Sequence, residues 1–327
     1  MIRKRATLKD VAKAAGVSLA AASYAVNKTG SLGEETRKHI LSVAQELGYR
    51  QNLSARATRT GKSGAIGFVV PDMTNPFFPS LAQSIVQRAR QSGYNVLLAD
   101  TEGDQVQEAE IIGQLVDRGV DGIVWFPVND ASQPPSSELP LIVIDRTIAG
   151  CECIQADYRD GGRIAAEYLL SMGHRRIGII AGPLDVRSMR DRCGGAEQVI
   201  KEQAELAFSV SNAFSTELER SVIDAVKAGA ASAVFVASDL IAIGLMKFAR
   251  QIGLHVPEDL SIIGFDDIPW AEYCVPPLTT VEMPVDEMAA EAVDALLRKI
   301  DGEAESNRRV VFNVSLSVRE SVWQLAD

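Results

Sequence analysis

The sequence is short of the residues on which many chemistries depend: three histidines, four cysteines and no long apolar run in 327 residues. Cys151, Cys153, Cys193 and Cys274 lie at spacings that form no disulfide framework. The one C-x-C pair has neither a second pair nor a nearby histidine to complete a zinc site. The cysteines read as reduced thiols, and neither a metal nor a cofactor is expected. His39, His174 and His255 are scattered, and no G-x-G-x-x-G after a strand, P-loop or G-x-S-x-G is present. No catalytic residue can be nominated, so an enzyme is not indicated. The longest apolar stretches are short, such as Ala65 to Val70, and "MIRKRATLKD" carries charge with no apolar segment behind it. Neither membrane insertion nor secretion is expected, and the reading is a cytoplasmic protein.

What is present is a chain with 46% apolar and 23% charged residues, enough for a large core in about two domains. Its net charge of −10 hides an asymmetry. Residues 1–62 hold twelve Lys and Arg against four Asp and Glu, a surplus of eight positive charges, so the remainder carries eighteen negative ones. A basic head on an acidic body predicts that nucleic acid is held at one end only.

Residues 1–49 read as three short helices. Thr7 followed by Asp10 resembles a capping box, Gly16 stops the first helix, and Ser18 is an N-cap for the second, which runs to about Asn27. The link Ala15-Gly16-Val17-Ser18 has the length and glycine of a helix-turn-helix. Ala21, Ala22 and Val26 are expected to pack, and on the third helix Ile40, Val43, Ala44 and Leu47. A polar, basic segment follows, "RQNLSARATRTGKSG". From Ala65 short β-rich runs alternate with amphipathic stretches of about 12 to 18 residues, the pattern of βαβ units with parallel sheets. Strands are expected at 65–70, 94–100, 122–127, 141–145, 176–181, 207–211, 233–237 and 261–265. Ten or so strands split more naturally into two sheets than one, giving two α/β lobes across a cleft.

In a helix-turn-helix the first residues of the second helix reach base edges, here Leu19, Ala20 and, one turn on, Tyr24. Leucine and alanine can touch a thymine methyl, and only the Tyr24 hydroxyl can bond a base edge or phosphate. Helix geometry alone leaves a DNA reader and a plain packed bundle equally open. In the body, ligands of doubly wound sheets sit beyond the carboxyl ends of strands. The residues there are Asp72, Asn75, Phe77, Phe78, Trp125, Asp145, Arg146, Ser238, Asp239, Asp266 and Asp267. Carboxylates and an arginine can grip hydroxyls, and aromatic faces can stack on a sugar ring. Asp239 has a simpler reading as the cap of a helix over 240–251.

"TLKDVAKAAGVS", "SYAVN" and "ETRKHILSVAQELGYRQN", with "IGFVVPDMTNPFF", "DGIV", "GHRRIGIIAGP", "ASDLIAIG" and "VPEDLSIIGFDDIPWAEYCVPPLTTVEMP", resemble the lactose-repressor (LacI/GalR) family of bacterial transcription regulators. The likeness covers nearly the whole chain. It implies a homodimer whose paired heads bind a palindromic double-stranded DNA operator, and a periplasmic-binding-protein-like body that senses a small effector. The expected division is a helix-turn-helix domain at 1–49, a hinge at 50–62 and an effector-binding and dimerisation domain at 63–327. The lobes of that domain are 63–156 with 283–309, and 157–282 with 310–327. The expected DNA-contacting set is Thr7, Ser18, Leu19, Ala20, Tyr24, Asn27, Arg50, Asn52, Arg56 and Thr58, with Lys4, Arg5, Lys38 and Arg59 as further phosphate contacts. Where the family has a hinge leucine wedged into the minor groove this chain has Thr58, with Gln51 and Ser54 also departing from the pattern. A threonine methyl offsets unstacking less well, so shallower operator bending is expected.

The resemblance implies effector contacts from Phe77, Phe78, Asp145, Arg192, Phe214, Ser238 and Asp266; Asn75 and Trp125 from the strand ends, and Trp270, which with Trp125 would suit a bulkier or aromatic ligand, complete the expected set. Purine-type members carry an extra arginine six residues before the shared one. Val186 stands there, so a carbohydrate or sugar derivative is the expected ligand. Nothing in "VVFNVSLSVRESVWQLAD" suggests a tetramerising helix, and a dimer is expected. The rival reading is a cytosolic sugar-binding protein with no specific operator.

Overall fold

Thr7 starts the first helix, α1 (Leu8–Ala14), through a reciprocal cap. Its hydroxyl accepts from the Asp10 N–H at 3.3 Å while its own N–H donates to the Asp10 carboxylate at 2.8 Å. Gly16, at φ 67°, takes the left-handed turn that ends it. Ser18 then opens α2 (Leu19–Asn27), its Oγ accepting from the Ala21 N–H at 3.1 Å, and α3 (Glu34–Glu46) follows. Val11, Ala12, Ala15, Ala22, Ala25, Ile40 and Ala44 form their common core, where small side chains let short helices approach closely. The packed pair on α2 is Ala22 with Ala25, three residues apart on one face; Ala21 and Val26 are half-buried at its sides. Leu47, expected inward, is 41% exposed because α3 has ended one residue before it.

This computed structural model describes residues 6–27, 30–49, 61–135, 138–303 and 308–325. It comprises two compact units, residues 1–63 and 64–327. Arg50, Asn52, Arg56 and Thr58 lie outside the described residues, as do Lys4, Arg5, Gln51, Ser54 and Arg59.

The second unit contains two six-stranded sheets. In chain order the first takes β1 (Ala65–Val70), β2 (Asn95–Asp100), β3 (Ile123–Trp125), β4 (Leu141–Ile144), β5 (Glu152–Ala156) and β11 (Arg309–Phe312). Its spatial order is β11-β5-β4-β3-β1-β2, every pair parallel. The second takes β6 (Arg176–Ala181), β7 (Glu205–Ser211), β8 (Ala233–Val236), β9 (Ser261–Asp266), β10 (Thr279–Glu282) and β12 (Ser315–Ser317), in the order β12-β10-β9-β8-β6-β7. It is parallel except for β12, which runs antiparallel to β10.

Side-chain alternation along each strand gives every sheet two buried faces. In the first sheet Phe68, Val124 and Ile142 face α4 (Phe77–Gln91) and α11 (Val285–Ile300), while Val69, Ile123 and Val143 face α5 (Gln105–Asp117). In the second, Ile179, Phe235 and Ile263 face α6 (Tyr158–Ser171) and α7 (Arg187–Gln203). Ile180, Val234 and Ile262 share the other core with α8 (Arg220–Lys227) and α9 (Asp239–Gln251). The chain passes between sheets three times, after β5, after β10 and after β11. The last passage falls beyond Phe312, not at the expected 309/310 boundary, because Arg309–Phe312 pairs in register with Cys153–Ala156.

Candidate functional site

On the head, the face of α2 opposite its alanine seam carries Leu19 and Tyr24, each 46% exposed, with Ser18 and Ala20 beside them. The Tyr24 ring lies against Gly30, where any Cβ would overlap it. Arg37 fixes this turn by donating to the Tyr24 carbonyl at 3.3 Å and the Gly30 carbonyl at 3.4 Å. Asn27 is engaged within its own helix, donating to the Ser23 carbonyl at 2.8 Å. Thr7 is exposed but spends its hydroxyl on the α1 cap, and Lys38 pairs with Glu34 at 3.3 Å. The face can make apolar contact, with one hydroxyl among its larger side chains.

In the body, the carboxyl ends of β1 to β4 and of β6, β7 and β9 converge on a cavity of about 650 Å³. Asn75, Phe77, Phe78 and Asp145 line it from the first lobe; Arg192, Phe214 and Asp266 line it from the second. Phe77 and Phe78 come from the first turn of α4 and pack edge to face on each other and on Phe126, with centroids 5.0 to 6.2 Å apart. This apolar wall suits the carbon face of a ring.

Two arginine–aspartate pairs supply the polar groups. Asp145, at φ 73°, is ion-paired with Arg146 and accepts from the Ser188 hydroxyl of α7 at 3.1 Å. Arg146 lies over Phe126, and burial pulls its guanidinium down to about 10. In the second lobe Arg192 donates to Asp266 at 2.7 Å and to the Ala237 carbonyl at 2.9 Å. Its guanidinium is stacked between Tyr158 and Phe265, 5.0 and 3.9 Å from the ring centroids. Asp266, at φ 123°, also accepts from the Ser238 hydroxyl at 3.2 Å. Asp145 and Asp266, both in the left-handed region, are each held there by more than one partner, as pre-organised sites are.

Three expected residues fall elsewhere. Trp125 is fully buried on the α5 side of β3, its indole donating to Glu108 at 2.9 Å; the next residue, Phe126, lines the cavity because neighbours on a strand point oppositely. Ser238 stands behind Asp266 and holds it rather than lining the cavity. Trp270, on α10 (Pro269–Glu272), is 51% exposed and borders a separate depression beside Pro76 and Pro79. Arg146 sits at a strand end legible in the sequence. Tyr158 and Ser188 lie in the first turns of α6 and α7, which a search of strand ends passes over.

Asp239 is not the helix cap. Fully buried, it accepts from the Thr280 hydroxyl at 2.6 Å and the Ile268 N–H at 3.0 Å, in space left by Gly264, whose Cβ would overlap its Oδ1. Arg192 serves Asp266 and Arg319 serves Asp267, but among the described residues Asp239 has no cation, and burial beside Asp266 pushes it up to about 7. The folded state therefore keeps a proton that the unfolded chain loses near 3.8. The resulting stabilisation is complete below the unfolded value and is lost as pH rises through the folded one. Thermal midpoints should fall from about pH 5 to about pH 8, and less in Asp239→Asn, whose amide still serves both partners. An identical fall in the variant would remove Asp239 as the cause.

Among the described residues no cluster of His, Cys, Asp and Glu could hold a metal ion, and no helix is long and apolar enough to cross a membrane. Residues 7–52 match the family model for bacterial regulatory proteins of the lacI type, and residues 166–322 that for a periplasmic binding protein-like domain. The chain is 33% identical over 322 residues to the ribose operon repressor of Halalkalibacterium halodurans, with 96% of each chain covered. The lac repressor dimer bound to operator and the anti-inducer ONPF is similar at a TM-score of 0.83 and 25% identity, over 98% of this chain and 100% of that one. The transcriptional regulator CelR in complex with cellobiose is similar at 0.71 and 26%, over 97% and 100%.

Proposed function

We propose, from the premise that this chain belongs to the lacI family of bacterial regulatory proteins, that it is a repressor binding a palindromic operator as a homodimer and switched by a carbohydrate. The observation that carries the ligand half is the cavity where Arg146–Asp145 and Arg192–Asp266 face in from opposite lobes beside an aromatic wall. Such pairs give fixed donors and acceptors for hydroxyls, and the wall takes a ring face. Effector contacts in this reading come from Asn75, Phe77, Phe78, Asp145, Arg146, Arg192, Phe214 and Asp266, with Ser238 positioning Asp266. The protein binds its ligand without turning it over, in the cytoplasm. Residues 1–49 read the operator through Leu19, Ala20 and Tyr24, residues 50–62 form the hinge that carries Asn52 and Thr58, and residues 63–327 sense the ligand and dimerise.

Selection of binding sites from a random DNA pool by the intact protein, with and without sugars, tests this. A two-fold symmetric consensus is expected, with half-sites one helical turn apart, whose affinity changes on adding one carbohydrate and is lost when residues 1–62 are deleted. Tyr24→Ala should keep affinity within about tenfold while relaxing base preference, since a single polar group supplies about 1 to 3 kcal/mol of discrimination. Binding without sequence preference would leave a sugar-binding protein and overturn the operator reading.

A further inference from the structure

We propose that the cleft selects its ligand by charge, admitting uncharged polyols and repelling their phosphate esters and acids, and that Glu102 and Asp185 enforce the choice. This rests on the carbohydrate reading above and narrows it. Both guanidiniums that line the cavity already have counter-ions, Asp145 for Arg146 and Asp266 for Arg192. Asp72, Asp100, Glu102 and Asp185 remain, and among the described residues no other Lys, Arg or His lines the cavity to balance them. The other arginines at the start of α7 are engaged elsewhere. Arg187 pairs with Asp191 at 3.3 Å, and Arg190 with Asp130 at 2.7 Å and with the Leu184 carbonyl at 2.7 Å.

The four carboxylates differ in what they are free to do. Asp72 accepts from the Thr74 N–H at 2.7 Å and hydroxyl at 2.6 Å. Asp100 accepts from the N–H groups of Met73 at 3.0 Å and Glu102 at 2.9 Å. Both therefore hold the loops they belong to. Glu102 and Asp185 are exposed and, among the described residues, no side chain hydrogen-bonds to either carboxylate, although Asp185 lies within Coulombic reach of Arg146. They approach from opposite lobes, Glu102 after β2 and Asp185 between β6 and α7. An anion entering between them meets like charge from both walls, a repulsion that salt screens because both groups are exposed.

The arginines do not reverse this. Among the described residues each has one buried Nε–H with no hydrogen-bond acceptor, that of Arg146 lying 3.8 Å from the Asp130 carboxylate, on side chains only 4% and 6% exposed. A donor whose charge is already balanced suits a hydroxyl oxygen and needs no charge on the ligand. The cavity thus presents guanidiniums whose charge is already balanced inside a negative rim.

Isothermal titration of the full-length protein with matched ligands tests the idea: D-ribose against D-ribose 5-phosphate, and D-glucose against D-glucose 6-phosphate and D-glucosamine. In the series that binds, the phosphate ester should bind at least about tenfold more weakly than its parent at low salt, and the amine no more weakly. Glu102→Gln with Asp185→Asn should shrink that ratio at least about threefold, as should raising the salt to about 0.5 M. The ratio is the readout, so a change in the parent's own affinity does not enter. A phosphate ester bound as tightly as its parent overturns the inference. So does a ratio that neither the substitutions nor salt alters, which marks exclusion by size. Absence of binding by any sugar removes the carbohydrate reading and this inference with it, whereas a bound parent with a flat ratio removes the inference alone.

Discussion

Arg192→Ala is expected to lower folding stability by about 3 to 5 kcal/mol and to abolish effector binding. The guanidinium is the cation for Asp266, and Asp266 is buried beside Asp239, which has none among the described residues. Removing the arginine strands the buried Asp266 carboxylate beside Asp239, and it empties the slot between Tyr158 and Phe265. At a few degrees per kcal/mol, the thermal midpoint of the sensing domain should drop by roughly 10 °C. Adding Asp266→Asn to the same chain should restore part of the stability, because the stranded charge is then gone, yet restore none of the ligand-induced rise in midpoint. A double variant no more stable than Arg192→Ala alone would show that lost packing, not the orphaned carboxylate, sets the cost. An Arg192→Ala protein still stabilised by the wild-type ligand would remove Arg192 from the site.

Gly162→Ala and Gly195→Ala should each cost about 2 to 3 kcal/mol, although alanine is the better helix former at both positions. The two glycines lie where α6 and α7 touch backbone to backbone. A Cβ at Gly162 would overlap the carbonyl oxygen of Arg192, and one at Gly195 the carbonyl oxygen of Arg159. Peptide groups inside helices cannot step aside as a side chain can, so the helices must separate and carry Arg192 with them. Gly194 is the internal control. Its Cβ would meet only the mobile tip of Arg159 at 3.3 Å, so Gly194→Ala should be neutral or stabilise by up to about 1 kcal/mol. Differential scanning fluorimetry of the three variants decides the matter, and equal midpoints at 162, 194 and 195 would refute the close contact.

The sequence made the architecture of the body legible because both periodicities were clean. Each of the eight expected strands is present, two with the expected bounds and six displaced by a residue or two at an end. Those passed over, β5, β10, β11 and β12, are three to five residues long and carry polar residues such as Gln155, Thr279, Arg309 and Ser315. Their pairing comes from tertiary context rather than from a hydrophobic run. Strand ends led directly to Asp145, Arg146, Asp266 and the two phenylalanines. The same rule misplaced Trp125 by one residue, since it gives depth along a strand but not the face to which a side chain turns. Tyr158 and Ser188 were not legible because helix starts, not strand ends, bring them to the cavity. On the head, two alanines three apart define the seam of α2, a signal that an alanine-rich stretch masks by offering several equivalent faces.

The order in which strands join the two sheets also bears on how the protein is made. Each sheet receives its last edge strand from a short closing stretch, β11 for the first and β12 for the second, separated by only Asn313 and Val314. A ribosome that has synthesised everything up to Gly302 therefore holds two nearly finished sheets, each with an open edge on β5 or β10. The first lobe gains its last strand just before the second does, although it begins some hundred residues earlier in the chain. The three-helix head, built from contiguous residues, is free of that constraint. A nascent chain can thus carry a folded head while both halves of its sensor still await the same few residues.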